Sequence, residues 1–361
     1  MKIVFFSHLD LNLYLFRLSI MKELVKRGYK VYALVPRGEY FEKFKEVGIE
    51  AIEYEIDRSS LNPLKELRTI QSIRKIIKKI NPDILHSFTH KPNIYGAFFG
   101  VRNFIQTITG LGSFFIYDDL KSKIVREIIL NGYKISSKKA KKVIFQNSDD
   151  LSLFLRKGIV EEEKAVLIKS SGIDTNEWKV SSKIKNSKVK VLMVSRVIKD
   201  KGVEEFIKAA DLLKERAKFL YIGGVDRGNK NAFFPDWKSV KYLGFKDKEE
   251  VKEIMKEVDI VVLPSFREGV PRTLLEAASM SKPIVATDVP GCREVVEDGV
   301  NGFLVPVRDY KSLAKKIETL IENEALRDKF GKMSRKKAVE EFDIKKVVDK
   351  YLKVYEEILG V

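Results

Sequence analysis

The chain holds one cysteine, Cys292, and three histidines, and its apolar runs are short. A single cysteine excludes an intrachain disulfide and a cysteine metal cluster, and it fits a reducing compartment. A bilayer-spanning helix needs about 20 consecutive apolar residues, and no run approaches that length. The N-terminal MKIVFFSHLD reaches His8 and Asp10 after an apolar run too short for a secretory signal, so a cytoplasmic protein is expected. No nucleic-acid-binding motif and no short repeat is visible. Acidic residues are in deficit: 51 Asp and Glu against 68 Lys and Arg leave a net charge of +17. That excess suits a solvated, heat-adapted surface, an acidic membrane surface or nucleic acid.

What is present is a strand–helix rhythm over 361 residues, enough for two domains with full cores. Strands are expected at 2–6, 31–35, 51–54, 84–86, 104–109, 143–146 and 166–169. Helices lie between them: over 12–27, 41–47 and 64–80, from Tyr95 onward, within 120–142, and after an N-cap at Ser148. The polar segment 175–188 reads as a linker, and the rhythm resumes at Val189. Such alternation implies an α/β architecture with parallel sheets. In segment 120–142, Leu120, Ile124, Ile128 and Ile129 share a side. The favoured reading is a crossover helix burying these isoleucines against the sheet. The surrounding lysines are left to face lipid headgroups.

Two stretches carry chemistry. In LPSFREGVPRTLLE, 263–276, a buried strand ends at Pro264 and Ser265, and Gly269 and Val270 form a loop. Pro271 takes the first helical position, where its missing N–H costs nothing. Bare amides at such a terminus hold phosphate. Glu268 precedes the turn and suits a sugar hydroxyl; Glu276, in the helix, suits paired ribose hydroxyls. A capped surface helix with two solvated acids is the plainer reading. In VLMVSRVIKDKG, 191–202, Arg196 and Lys201 follow a strand at the end where open α/β sheets bind ligands. Two fixed cations suit a diphosphate leaving group.

Together these stretches resemble the C-terminal signature of retaining glycosyltransferases of family 4, which have the GT-B fold. IGG at 222–224, YLGF at 242–245, VDIVVLPS at 258–265 and KPIVATDVPGCREVVEDGVNGFLV at 282–305 match in order. In the first half, SHLDLNLYLFR (7–17), RSSLNP (58–63), SFTHKPNIYGA (87–97), GLGSFF (110–115) and KSSGID (169–174) resemble one subgroup. That subgroup adds N-acetylgalactosamine or a related sugar to a sugar carried on undecaprenyl diphosphate.

The resemblance implies two Rossmann-like parallel-sheet domains facing a central cleft. An acceptor-binding domain would span 1–174, a linker 175–188 and a nucleotide-sugar domain 189–342. Residues 343–361 would form a helix returning to the first domain. The implied substrates are a UDP-sugar donor and a polyprenyl-diphosphate-linked sugar acceptor, handled at the inner face of an anionic membrane rather than on nucleic acid. Arg196 and Lys201 would hold the diphosphate with the amides of the run from Gly269 to Thr273, Gly269, Val270 and Thr273 among the donors and Pro271 shaping the turn. Glu276 would hold the ribose, Glu268 a sugar hydroxyl, and Gly244 and Phe245 would lie at the base. No Asp-x-Asp motif occurs, so neither metal nor cofactor is expected.

On the acceptor side, the common Gly-Gly pair after the first strand is replaced by SHLDLNLY. His8 and Asp10 are candidates by position, with ordinary loop polarity as the alternative. The family histidine has two claimants in HSFTH: Phe88 occupies the usual place, His86 reads as a core residue, and His90 is placed in the loop with Lys91. Gly110 and Gly112 would admit an acceptor or merely form a turn. A GT-B epimerase acting on the nucleotide sugar alone is the rival activity.

Overall fold

The computed structural model describes residues 1–58, 60, 62–179, 187–225 and 231–360. They form two compact units, one of Met1–Ser171 with the residues from Lys345 onward, the other of Gly172–Ile344.

The first unit runs β1 (Lys2–Phe6), α1 (Asp10–Lys26), β2 (Lys30–Val35), β3 (Glu50–Glu53), α2 (Pro63–Ile80), β4 (Ile84–Phe88), α3 (His90–Gly96), β5 (Phe104–Ile108), α4 (Leu120–Lys139), β6 (Lys142–Phe145), α5 (Ser148–Arg156) and β7 (Ala165–Leu167). Its sheet has the order β3-β2-β1-β4-β5-β6-β7, and every pairing is parallel. The order reverses between β1 and β4, and a doubly wound sheet opens a crevice at such a switch point. β1, β4 and β5 are buried almost throughout, as in a parallel sheet covered on both faces, although β4 and β5 carry the buried polar residues His86, Ser87, Gln106 and Thr107.

The second unit runs β8 (Lys190–Val194), α6 (Val203–Leu213), β9 (Lys218–Ile222), β10 (Val240–Tyr242), α7 (Lys248–Glu257), β11 (Ile260–Leu263), α8 (Arg272–Ser279), β12 (Ile284–Thr287), α9 (Cys292–Val295), β13 (Gly302–Val305), α10 (Tyr310–Glu322) and α11 (Glu324–Lys337). Its sheet order is β10-β9-β8-β11-β12-β13, again parallel.

Several local expectations shift. α3 begins at His90, so Tyr95 lies near its end and His90 is helical rather than in a loop. Pro92 sits in the first turn, where no amide donor is needed. The cap of α5 is Asn147, whose side chain accepts the Asp150 amide, and Ser148 is already inside the helix. Within the expected linker, Thr175 and Trp178 are buried in the second unit. Arg335 Nη1 donates to the Thr175 carbonyl at 2.7 Å, and Ser279 Oγ to that of Trp178 at 2.6 Å. Trp178 makes a core anchor of a run whose composition is polar. Residues 180–186 of that expected linker lie outside the described residues.

α4 reverses the expectation for Ile124 and Ile128 and keeps it for Ile129. Val125, Ile129, Leu130 and Tyr133 face the core. Leu120, Ile124, Ile128 and Ile135 are exposed, at 75%, 53%, 53% and 57%. Neighbouring residues differ by about 100° around a helix, so Ile128 and Ile129 cannot share a narrow stripe. Gly132 selects the buried face: a Cβ there would lie 2.6 Å from Ile94 Cδ1 of α3.

The last helix, α12 (Ile344–Leu359), completes the first unit. Tyr355 Oη lies 2.7 Å from His86 Nδ1. Tyr351 and Tyr355 are buried beside Arg17 of α1. The Arg17 guanidinium sits 4.9 Å over the Phe88 ring and donates to the Phe16 carbonyl and to Gln146 Oε1.

Candidate active site

In the second unit, the two chemistry-bearing stretches meet although they are far apart in sequence. After β8 the chain passes Ser195 and the exposed Arg196 and makes a tight turn over Lys199–Lys201. Gly202 closes that turn at φ 71°, and a Cβ there would lie 2.1 Å from the Pro264 carbonyl oxygen at the end of β11. Only glycine fits so near a backbone in this conformation. The Phe266 amide donates to the Asp200 carbonyl at 2.8 Å, and Thr273 Oγ1 to the Val194 carbonyl at 3.3 Å. Lys201 Nζ pairs with the Glu268 carboxylate, both side chains largely buried.

The loop over 268–270 rests on another glycine. Gly291, at φ 79°, lies so close that a Cβ would sit 1.7 Å from the Gly269 carbonyl oxygen. α8 starts one residue later than expected: Pro271 is the N-cap with extended backbone, and Arg272 is the first helical residue. No side chain caps this end, and the first-turn amides have no intrahelical acceptor. Glu276 is buried, with Arg272 Nε at 3.0 Å. Burial pushes its carboxyl up to about 7, against the pull of Arg272. Arg272 was not singled out from sequence; its four-residue spacing from Glu276 was the available signal.

Beside β9 and β10, Gly223 donates its amide to the Gly244 carbonyl at 2.9 Å. Phe245 is 78% exposed. Val225, Phe234, Pro235, Trp237 and Tyr242 line a cavity of about 380 Å³. Trp237 and Tyr242 stack with ring centres 4.3 Å apart, and Tyr242 Oη donates to the Gly223 carbonyl. Sequence reading missed this aromatic wall, which a flexible-looking run of mixed polarity conceals.

In the first unit the candidates divide. His90 is held at both ring nitrogens, Nδ1 3.0 Å from Tyr133 Oη and Nε2 3.1 Å from the Leu111 carbonyl. Burial lowers its pKa, while the Leu111 carbonyl pulls the other way. A Cβ on Gly112 would lie 3.8 Å from His90 Nε2, so the Gly110–Gly112 loop lies against this ring. His8 Nδ1 contacts Thr89 Oγ1. Burial first, then the electrostatic influence of neighbouring Arg58, His90 and Lys91, holds its pKa down at about 4. Thus His8, His90 and the glycine loop form one group around the start of α3. Asp10 does not join them. It is buried and accepts from the Leu11 and Tyr40 amides, both at 2.7 Å, which fixes the loop after β2. Lys91 is likewise committed elsewhere: its Nζ bonds Glu66 at 2.9 Å and the Asp57 and Ser60 carbonyls. His86 is a core residue between Tyr355 and Thr107.

A family model described as Glycosyl transferases group 1 matches residues 174–337, and one described as Glycosyl transferase 4-like matches residues 2–147. The sequence is 34% identical, over 99% of both chains, to the Campylobacter jejuni N,N'-diacetylbacillosaminyl-diphospho-undecaprenol alpha-1,3-N-acetylgalactosaminyltransferase. The chain is a family 4 glycosyltransferase. The glycosyltransferase is also 25% identical to an Escherichia coli UDP-Gal:alpha-D-GlcNAc-diphosphoundecaprenol alpha-1,3-galactosyltransferase, over 82% of its own length and 81% of that protein. The crystal structure of Anabaena HepE in complex with UDP matches it with a TM-score of 0.79 at 20% identity, over 99% of this chain and 100% of that one. That likeness shows that the glycosyltransferase has the GT-B fold. Among its described residues, no helix is long and apolar enough to cross a membrane.

Proposed function

We propose that this glycosyltransferase moves N-acetylgalactosamine or a related hexose from a UDP-sugar to a sugar carried on a polyprenyl diphosphate, with retention at the anomeric carbon. The near-full-length similarity to the Campylobacter transferase carries the reading, and the convergence of Lys201, Glu268 and α8 in the second unit supports it.

In this reading the second unit holds the donor. Arg196 and Lys201 stabilise the charge that grows on the leaving diphosphate, aided by the amides from Gly269 to Thr273. Glu276 accepts from the ribose hydroxyls and Glu268 from a hydroxyl of the transferred sugar. The backbone at Gly244 and Phe245 lies along the base. An acceptor oxygen attacks the anomeric carbon on the face the diphosphate leaves. The bond from that carbon to the phosphate oxygen breaks, and the acceptor proton passes to the departing phosphate, so no protein nucleophile is required. In the first unit His90, oriented by Tyr133 and Leu111, takes the part of the family histidine, with His8 and the Gly110–Gly112 loop beside it on the acceptor side. The two protein cations make a bridging metal ion unnecessary. The enzyme works on the cytoplasmic side, at the surface of an anionic membrane where a lipid-linked acceptor resides.

The test is a panel of labelled UDP-sugars with an extracted lipid-linked acceptor, in the presence of excess chelator. Label should enter lipid from one or a few donors and only when acceptor is added. Conversion of the donor sugar without acceptor would point to an epimerase. Activity abolished by chelator and restored by magnesium or manganese would overturn the metal-independent mechanism.

A further inference from the structure

We infer that the outer face of α4 is a lipid-inserting surface that seats the first unit on an anionic bilayer. The inference deepens the proposed function and rests on its lipid-linked acceptor. α4 is apolar on two opposite faces. One packs into the core through Val125, Ile129 and Tyr133. The other presents Leu120, Ile124, Ile128 and Ile135, each more than half exposed. The first three are spaced by four and the last follows by seven, so they form a single stripe. Branched apolar side chains so placed add nothing to the fold.

Charge selects the occupant. Lys121 and Lys139 project on one side of the stripe, and Lys123 and Lys134 on the other beside Glu127, with Asn131 within the stripe and Lys138 at its end, so the face is net positive. All five lysines are exposed. An apolar stripe between rows of lysine lies flat in an anionic lipid interface. A second copy would set two net-positive faces together, five lysines against the single Glu127 on each, and these repel. Arg126 and Lys142 are not part of the surface. Arg126 holds the Phe114 and Tyr117 carbonyls, and Lys142 pairs with Glu357 at 2.7 Å. The position also suits the chemistry. α4 follows directly on the loop from Gly110 to Asp119, whose start lies against His90, and Arg126 ties that loop to the helix. A bilayer under the stripe brings headgroup-level diphosphate beside the acceptor-side group.

The experiment uses the full chain and vesicles of equal parts phosphatidylglycerol and phosphatidylcholine. The parent should co-sediment with them, and part of the binding should survive high salt because insertion is apolar. Ile124→Gln with Ile128→Gln should remove the salt-resistant part and lower vesicle affinity on the order of tenfold or more. Exchanging the five lysines for glutamine should remove the salt-sensitive part. Both replaced isoleucines are exposed, so the melting temperature should hold. As a second readout, Ile128→Cys carries an environment-sensitive dye, since the chain's own Cys292 is buried. Its emission should shift to the blue on vesicles. A dye that stays in water, or an isoleucine pair that binds vesicles like the parent, overturns the inference. So does a parent that dimerises through the stripe and ignores lipid. The isoleucine pair should also transfer sugar normally to detergent-dispersed acceptor and poorly to acceptor in vesicles. If neither protein transfers sugar in detergent, the proposed function fails while the vesicle result still stands or falls alone.

Discussion

Burial holds the Glu276 carboxyl near 7, which couples its ligand and its stability to pH in opposite directions. Its folded pKa lies above the ordinary carboxyl value, so its contribution to stability is complete at acid pH and is lost as pH rises through about 7. On the proposed role for Glu276, its charged form is the better acceptor for ribose hydroxyls, so UDP affinity should rise over the same range. Titration calorimetry from pH 6 to 8 should show this, and Glu276→Gln should flatten both trends. A slope unchanged in the variant would assign the effect to another group. Arg196→Ala and Lys201→Ala should each lower turnover by about a hundredfold, because their charges matter most as the diphosphate leaves. Near-normal turnover in both would remove them from the mechanism. That the stretches carrying Lys201 and Glu268 belong together was legible because each sits in a dense local pattern, and the structure pairs the two side chains. Asp10 and Lys91 were named by position alone. Position does not reveal that backbone amides and Glu66 already occupy them.

At the scale of elements, glycines set the loops of the donor site. Gly291→Ala forces a Cβ into the Gly269 carbonyl and strains a left-handed backbone, at a cost of roughly 1–3 kcal/mol. The displaced loop carries Glu268, so the donor KM should rise along with the loss in melting temperature. A stable variant with an unchanged KM would mean the 268–270 loop can move freely. β1, β2, β8 and β11 were legible because these buried parallel strands read as apolar runs between turn residues. The outer face of α4 was not. Periodicity finds an apolar stripe but cannot say which of two stripes meets the sheet, and Gly132 against Ile94 decides it. Trp178 escaped for a related reason: one large side chain outweighs the polar run around it.

For the whole molecule, the first unit is discontinuous in sequence and the second is not. Ending the chain at Ile344 would uncover Arg17, His86 and Phe5, which Tyr351 and Tyr355 now enclose. An exposed apolar core of this kind unfolds, so calorimetry should lose the transition of the first unit. The second unit keeps every residue proposed to hold the donor, so UDP should still raise its melting temperature. Two intact transitions in the shortened chain would make α12 dispensable.

The same discontinuity orders events on the ribosome. Residues 172–344 form a complete second unit that can close as soon as it clears the exit tunnel. The first unit, although made first, waits for α12. Arg17 is buried with no carboxylate among the described residues at hand, so its early half-core is a poor resting state. Emergence of α12, rather than of β7, is therefore the event that lets the first unit become native.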